Sequence, residues 1–163
     1  MTEFNVAKYL PQLDTALEAI LNKRLQLFAE AAEQQQVSID FPESHDPDIR
    51  PAFFKAMLFS EYVAAALTRS PGMLGRLITT NDLFDVYSAD AYRQRLAALT
   101  REVADEAGVK KILVDFKLYE SVRIAWRDLN GMADLEETLH HLSWMADACI
   151  DTALAPVMSA CIQ

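Results

Sequence analysis

Apolar residues recur every three or four positions along most of this chain, which is the spacing of one face of an α-helix. Over residues 11–36 one such stripe consists of Leu13, Leu17, Ile20, Leu21, Leu25 and Phe28. Pro11 suits the first turn of this helix, because the N–H that proline lacks has no helical partner there. Residues 38–50 then bring two prolines and four acidic residues. The pattern therefore predicts a long first helix followed by a solvated connection.

A second helix is predicted from Pro51 to a break at residues 70–72. Its core-facing positions are Phe54, Leu58, Tyr62 and Ala65. The helix is expected to end at Ser70, because a residue that precedes proline avoids helical geometry. A short helix over residues 73–78 follows.

The middle of the chain predicts two more helices. Ser88 is a good N-cap for the first of them, and Gly108 is expected to end or bend it. Its stripe consists of Tyr92, Leu96, Leu99 and Val103. The next helix covers residues 109–130, and Gly131 suits its C-terminal cap. Its stripe consists of Ile112, Phe116, Tyr119 and Trp126.

The last helix is predicted to begin after Asp134, with Glu137 three residues on as in a capping box. Its stripe consists of Leu135, Leu139, Leu142, Met145, Ala146 and Cys149. Pro156 is expected to kink or stop it near Ala155. Since no stretch alternates as a strand does, the sequence predicts an all-α fold. We expect a bundle of five or six helices that forms a single domain over residues 1–163.

Composition narrows the possible functions. The 163 residues suit one domain, and 15 basic against 24 acidic residues give a net charge of −9. Nucleic-acid binding relies on a basic surface, so neither nucleic acid nor an anionic membrane is an expected partner. No window approaches about 20 uninterrupted apolar residues, and the N-terminus does not resemble a signal peptide. The two cysteines, Cys149 and Cys161, fit no metal or redox spacing, which favours a reducing cytoplasm.

The sequence has no glycine-rich phosphate loop and no metalloprotease, redox or serine-hydrolase motif. His140 and His141 each follow a glutamate by four positions, but adjacent helical residues point about 100° apart. Two such rings do not easily share a metal, so we interpret them as part of a solvated helix face.

Three other features have structural interpretations. Residues 45–48 (His-Asp-Pro-Asp) are typical of a solvated turn, and Trp126 and Trp144 are expected to anchor the core. Cys149 and Cys161 are interpreted as small core hydrophobes. The sequence therefore predicts no catalytic, cofactor-binding or metal-binding residue.

The most specific stretch is R-I-A-W-R-D-L at 123–129, followed by D-L-E-E-T-L at 134–139 and L-S-W-M-A-D-A at 142–148. Together with the patch F-S-E-Y-V at 59–63, it resembles the N-terminal helical region of the bifunctional glutamine synthetase adenylyltransferase/adenylyl-removing enzyme. The resemblance covers residues 59–154. The residues that carry this family signature are Glu61, Arg123, Trp126, Arg127, Asp128 and Asp147.

The chain departs from the family pattern in two places. The basic cluster expected just before Arg123 is mostly missing from residues 115–121. The family's glycine-rich loop and metal carboxylates are expected beyond Gln163. No catalytic residue of the family is therefore transferred to this chain, which we expect to be inactive alone.

The resemblance implies a non-catalytic helical segment of an enzyme that reversibly adenylylates glutamine synthetase in nitrogen regulation. For the full-length family it implies magnesium and ATP as cofactors. Its implied partners are the nucleotidyltransferase core of the same polypeptide, glutamine synthetase and the PII signalling protein. One alternative is a stand-alone helical module that binds glutamine synthetase or PII, and another is an unrelated ligand-binding bundle.

Arg123 is the residue whose type conflicts with its position. It follows Tyr119 by four positions and precedes Trp126 by three, so it shares a helix face with aromatic residues. A buried cation needs a carboxylate or carbonyl partner. We expect a partly buried ion pair that ties the fifth predicted helix to the second, with Glu61 as the partner or alternatively Asp147, and the other possibility is that Arg123 edges the stripe and extends to water.

Overall fold

The computed structural model describes residues 6–39, 41, 49–103 and 105–161, with the backbone alone for residues 7, 9 and 156–161. These residues form eight α-helices and no strand: α1 (Val6–Tyr9), α2 (Thr15–Gln34), α3 (Ile49–Phe59), α4 (Glu61–Arg69), α5 (Gly72–Thr79), α6 (Ala89–Thr100), α7 (Glu106–Leu129) and α8 (Leu135–Cys161). The all-α class is confirmed. The expected five or six helices are too few, because α1 was not predicted and the predicted second helix is divided.

Serine 60 divides that second helix into α3 and α4. The Ser60 backbone is extended, and its Oγ accepts a hydrogen bond from the Val63 N–H at 3.1 Å, as an N-cap does. The break changes the phase of the stripe. Phe54 and Leu58 are buried as predicted, whereas Tyr62 and Ala65 are exposed and their assignment to the core is wrong.

The first long helix begins later than predicted. Pro11 lies in a turn, and Asp14 caps α2 by accepting from the Leu17 N–H at 2.9 Å. Leu21, Leu25 and Phe28 form the buried face of α2. Ile20 is exposed, because its position lies at the edge of that face.

The two glycines near the ends of α7 have different roles. Gly131 has a φ of +68° and ends α7, with the Met132 N–H donating to the Arg127 carbonyl at 2.8 Å, so its predicted role as a C-cap is confirmed. Gly108 does not end or bend a helix. It lies in the first turn of α7, where a side chain would meet Val103 Cγ1 at 2.5 Å and where its N–H donates to Asp105.

Ser88 caps α6 as predicted, with its Oγ accepting from the Ala91 N–H at 3.3 Å. On α6 Tyr92 and Leu96 are buried, but Leu99 is exposed. Its place in the core stripe is therefore wrong, since it lies one turn beyond the covered part of the helix.

The last helix differs most from the expected pattern. α8 continues through Pro156 to Cys161, so the predicted stop near Ala155 is wrong. Its buried face consists of His141, Met145 and Ala148, and Leu135, Leu139, Leu142 and Ala146 are exposed. Periodicity alone does not show which of two apolar faces of a helix is buried. The buried face of α8 is hard to recognise because it includes a histidine.

By their internal contacts the residues divide into two compact units. Unit 1 consists of Met1–Phe84 and Ala125–Met132, and unit 2 of Asp85–Ile124 and Ala133–Gln163. The core of unit 1 includes an aromatic group in which the Phe53 ring lies 5.5 Å from Phe28 and 6.1 Å from Trp126. The core of unit 2 is built from Tyr87, Tyr92, Leu96, Phe116, Ile124, Met145 and Ala148. None of the helices in the described ranges combines the length and the hydropathy of a membrane-spanning segment.

Candidate functional site

The feature of unit 2 that stands apart from an apolar core is a buried polar group around Arg123, here called the Arg123 cluster. It consists of Arg123 and Glu120 of α7, Tyr92 and Arg95 of α6, His141 of α8, and Tyr87 in the segment before α6. Arg123 and Glu120 have no exposed side-chain surface, and His141 is buried as well. Charged groups with so little solvent contact persist when each has internal partners.

The Arg123 guanidinium is held from several directions. Its Nε–H donates to Glu120 Oε2 at 2.7 Å, and its Nη1–H donates to the Asp85 carbonyl at 3.1 Å. Its Nη2–H donates to the Tyr92 hydroxyl at 2.7 Å. The Tyr87 ring lies under the group, with 3.9 Å between Arg123 Cζ and the ring centroid, which adds a cation–π contact. The cation is therefore fixed in both position and orientation.

The position of the Tyr92 hydroxyl determines the tautomer of His141. Tyr92 Oη accepts from Arg123, and it lies 2.6 Å from His141 Nδ1, to which it donates its own proton. Arg123 Nη2, which is solely a donor, also lies 3.2 Å from Nδ1. Nδ1 is therefore an acceptor, and the imidazole proton is on Nε2, which lies 3.5 Å from Glu137 Oε1.

Arg95 extends the cluster toward solvent. Its Nη1–H donates to the Tyr87 hydroxyl at 2.6 Å, and its Nε lies 3.6 Å from Glu120 Oε1. The Glu120 carboxylate thus lies between two guanidinium groups, one buried and one about a third exposed. This arrangement stabilises the charged form of each partner.

The pKa of Arg123 reflects the balance of two opposing effects. Desolvation by burial acts to lower it, while the Glu120 carboxylate and the two tyrosine rings act to raise it, and the net result is a raised pKa. The guanidinium therefore remains charged inside the unit. Elsewhere in unit 2, burial raises the pKa of the Cys149 thiol, which disfavours its reactive thiolate.

Arg123 forms an ion pair as expected, but the pair is fully buried rather than partly buried and its partner is a different carboxylate. Glu61 and Asp147 are both exposed, and the carboxylate that Arg123 contacts is Glu120, three residues earlier on the same helix. The expectation favoured a partner on another helix and did not weigh the i,i+3 position. The sequence could have indicated Glu120 as a buried partner, because it follows Phe116 by four positions and therefore lies on the buried face of the helix.

The two adjacent histidines have different environments. His140 is exposed and stacks on Trp144, with 5.3 Å between ring centroids and 8° between ring planes. His141 belongs to the Arg123 cluster, so its assignment to a solvated face is wrong. Trp144 is half-buried, whereas Trp126 is fully buried as predicted.

A second buried arginine lies in unit 1. Arg127 Nη1–H donates to the Leu83 carbonyl at 2.6 Å, and Nη2–H donates to the Met132 carbonyl at 3.2 Å. Asn130 Nδ2–H donates to the carbonyls of Ala52 and Trp126 at 3.3 and 2.9 Å. These side chains connect the end of α7 to α3 and to the loop before Tyr87. Asp128, by contrast, is exposed.

The Nη groups of both arginines donate to groups of the same chain. Their partners are carbonyls, a carboxylate and a hydroxyl. In the described part of the chain no group of three or more His, Cys, Asp and Glu side chains is placed to hold a metal ion. Residues 45–48 and the Cys161 side chain lie outside the described residues.

Comparisons with known proteins give one consistent result. The family model of glutamate-ammonia ligase adenylyltransferase matches residues 51–163. Bifunctional glutamine synthetase adenylyltransferase/adenylyl-removing enzymes are similar in sequence: the one from Nitrosococcus oceani is 32% identical over 88% of this chain and 14% of its own length. The one from Thioalkalivibrio sulfidiphilus is 33% identical over 94% of this chain and 15% of its own. The chain thus spans about a seventh of the length of these relatives. No solved structure matches it.

Proposed function

The chain belongs to the glutamate-ammonia ligase adenylyltransferase family, and we propose that it is a non-catalytic helical segment of the enzyme that reversibly adenylylates glutamine synthetase. In this proposal its helices pack against and shape the part of the polypeptide that performs adenylyl removal. Magnesium and ATP then belong to the nucleotidyltransferase part of the family's polypeptide, and the segment works in the cytoplasm.

One observation carries this proposal. The two arginines of the family signature, Arg123 and Arg127, are buried and donate to carbonyls, a carboxylate and a hydroxyl of the same chain. An arginine that serves phosphoryl transfer presents its donors to phosphate oxygens from an accessible site. Here the guanidinium N–H groups of Arg123 and Arg127 donate to residues of α6 and α7 and to the loop before α6. The role that this geometry supports is architectural.

The proposal is tested with the purified chain, adenylylated glutamine synthetase, magnesium and inorganic phosphate. We expect no release of AMP, and no transfer of AMP from ATP to unmodified glutamine synthetase. The full-length Nitrosococcus oceani relative, assayed in parallel, is the positive control. AMP release by the chain alone would overturn the proposal.

The proposed partners are the remainder of the family's polypeptide and, through the complete enzyme, glutamine synthetase and the PII protein. Surface plasmon resonance with immobilised glutamine synthetase or PII tests whether the chain meets either protein directly. We expect no saturable binding by the chain alone. Saturable binding would favour the alternative of a stand-alone interaction module.

A further inference from the structure

The outer surface of α8 carries a continuous row of apolar side chains. They follow one another at spacings of three or four residues, and the five large ones are between 41% and 72% exposed. We call this row the α8 outer stripe; it consists of Leu135, Leu139, Leu142, Ala146, Ile150 and Leu154. Isolated exposed leucines are common, but soluble proteins rarely expose a contiguous row of them.

The outer stripe is distinct from the face that α8 buries within unit 2. The buried face consists of His141, Met145 and Ala148. At about 100° per residue, Ala146 points about 100° away from Met145 around the helix axis. The helix therefore has two apolar faces, and the fold of unit 2 covers one of them.

The dimensions of the outer stripe suit another helix. Leu135 and Leu154 are separated by about 29 Å along the axis, or about five turns. An apolar row of this length and of helical spacing is the surface that an amphipathic helix covers with its own anchors at i, i+3, i+4 and i+7. A loop or a single inserted side chain would cover a small part of it.

The negative charge of α8 determines which charge a helix that binds the outer stripe should carry. Its 27 residues include no lysine or arginine and four carboxylates. Asp151 lies 3.4 Å from Arg93 and Glu137 lies 3.5 Å from His141, whereas Glu136 and Asp147 are exposed. A second copy of this chain would bring another acidic helix against these groups, and like charges across an interface disfavour pairing. A helix with lysine or arginine beside its apolar row is complementary.

We propose that the α8 outer stripe is the docking surface for a basic amphipathic helix in the remainder of the family's longer polypeptide. This inference rests on the proposed function, because that function provides the polypeptide from which the helix comes. It adds the surface, the secondary structure of the occupant and the sign of its charge.

The test uses the whole 163-residue chain as a labelled probe on an array of overlapping peptides that cover the full Nitrosococcus oceani relative. Peptides of about 25 residues provide roughly seven helical turns each. We expect binding to peptides from outside the matched segment that combine an apolar helical row with basic flanking residues. A peptide with the residues of α8 itself is included to test self-association.

Variants then assign the binding to α8. Leu139→Gln replaces one large apolar side chain of the α8 outer stripe with a polar one and should weaken binding of the selected peptide about tenfold. Leu27→Gln on α2 is the matched control, because Leu27 and Leu139 are both helical leucines and are exposed to 48% and 54%, and it should leave binding unchanged. Asp147→Lys should weaken binding about threefold at low salt and less at high salt, whereas Glu33→Lys on α2 should not.

Each outcome decides one point. Strongest binding to the α8 peptide would replace the proposed occupant with a second copy, and sedimentation velocity would then show a dimer. Binding to no peptide, or binding that Leu139→Gln and Leu27→Gln affect equally, would overturn the inference. None of these results changes the AMP-release assay, so failure of the docking inference and failure of the proposed function are distinguishable.

Discussion

Arg123 has the size and charge of a surface residue but lies in the core of unit 2. Desolvation of its guanidinium is offset by Glu120, by two neutral acceptors and by the Tyr87 ring. Such a pair adds little net stability compared with apolar side chains of the same shape, but losing one partner leaves a buried charge without compensation. The cluster is therefore sensitive to a single substitution.

The substitution Glu120→Gln should lower the free energy of unfolding by about 3 kcal/mol, since the amide keeps an acceptor for Arg123 but removes the opposite charge. Urea unfolding followed by circular dichroism measures the change. The control is Asp90→Asn, which alters the exposed pair of Asp90 and Arg93 at 3.4 Å and should cost about 0–1 kcal/mol. Equal effects of the two substitutions would contradict the account of the Arg123 cluster.

At the scale of single residues, the sequence predicts that Arg123 is buried better than it predicts which residues Arg123 contacts. The aromatic neighbours of Arg123 indicate burial, and burial requires an acceptor. Which acceptor it is depends on how α6, α7 and α8 pack, and His141 shows the limit most clearly. Its local sequence pairs it with Glu137 on a helix surface, whereas its ring lies against Tyr92, 49 positions away in the chain.

The ends of the helices illustrate how local sequence signals work. Just after the end of α2, Gln36 has a φ of +56°, and the Val37 N–H donates to the Ala32 carbonyl at 2.9 Å. This is the same arrangement that Gly131 adopts at the end of α7. A residue with a Cβ is strained in this left-handed conformation, and glycine is not.

The substitution Gln36→Gly should therefore raise the free energy of unfolding by about 0.5–1 kcal/mol, because the relief of strain exceeds the added entropy of the unfolded chain. The converse substitution, Gly131→Ala, should lower it by about 1 kcal/mol, since there is space for the methyl group but the φ is unfavourable. Thermal and urea unfolding measure both. A loss of stability in Gln36→Gly would show that the side chain makes a compensating contact.

At the scale of the helices, three helix ends were predictable: those at Ser88, Gly131 and Pro71. Each depends on the residue type and on hydrogen bonds within a few residues. Ser60 was missed because a serine inside an apolar pattern gives no clear sign that it caps a new helix. Which face of α8 is buried was not predictable either. Two apolar faces have the same period, and the choice between them is made by contacts with other helices.

At the scale of the whole molecule, the chain passes between the two units three times, at residues 84/85, 124/125 and 132/133. Neither unit is therefore one continuous piece of chain. The residues of α7 are divided between them at Ile124 and Ala125. The all-α class followed from periodicity, but this division did not, because it depends on contacts between residues far apart in the sequence.

Despite the two units, we expect the chain to unfold in one cooperative transition, as a single domain does. Unfolding of unit 2 would release both ends of the segment Ala125–Met132 that unit 1 requires. The chain offers a probe in each unit, because it has two tryptophans, Trp126 in unit 1 and Trp144 in unit 2. The variants Trp144→Phe and Trp126→Phe each leave one of them.

In each variant, tryptophan fluorescence and far-ultraviolet circular dichroism should give the same urea midpoint, and in the unsubstituted chain the calorimetric enthalpy should equal the van't Hoff enthalpy. Comparing two signals within one variant removes the effect of the substitution on stability. If the fluorescence midpoint of either variant is separated from its circular dichroism midpoint, the two units unfold independently. The expectation of a single domain would then be wrong, because the shared segment would not couple them.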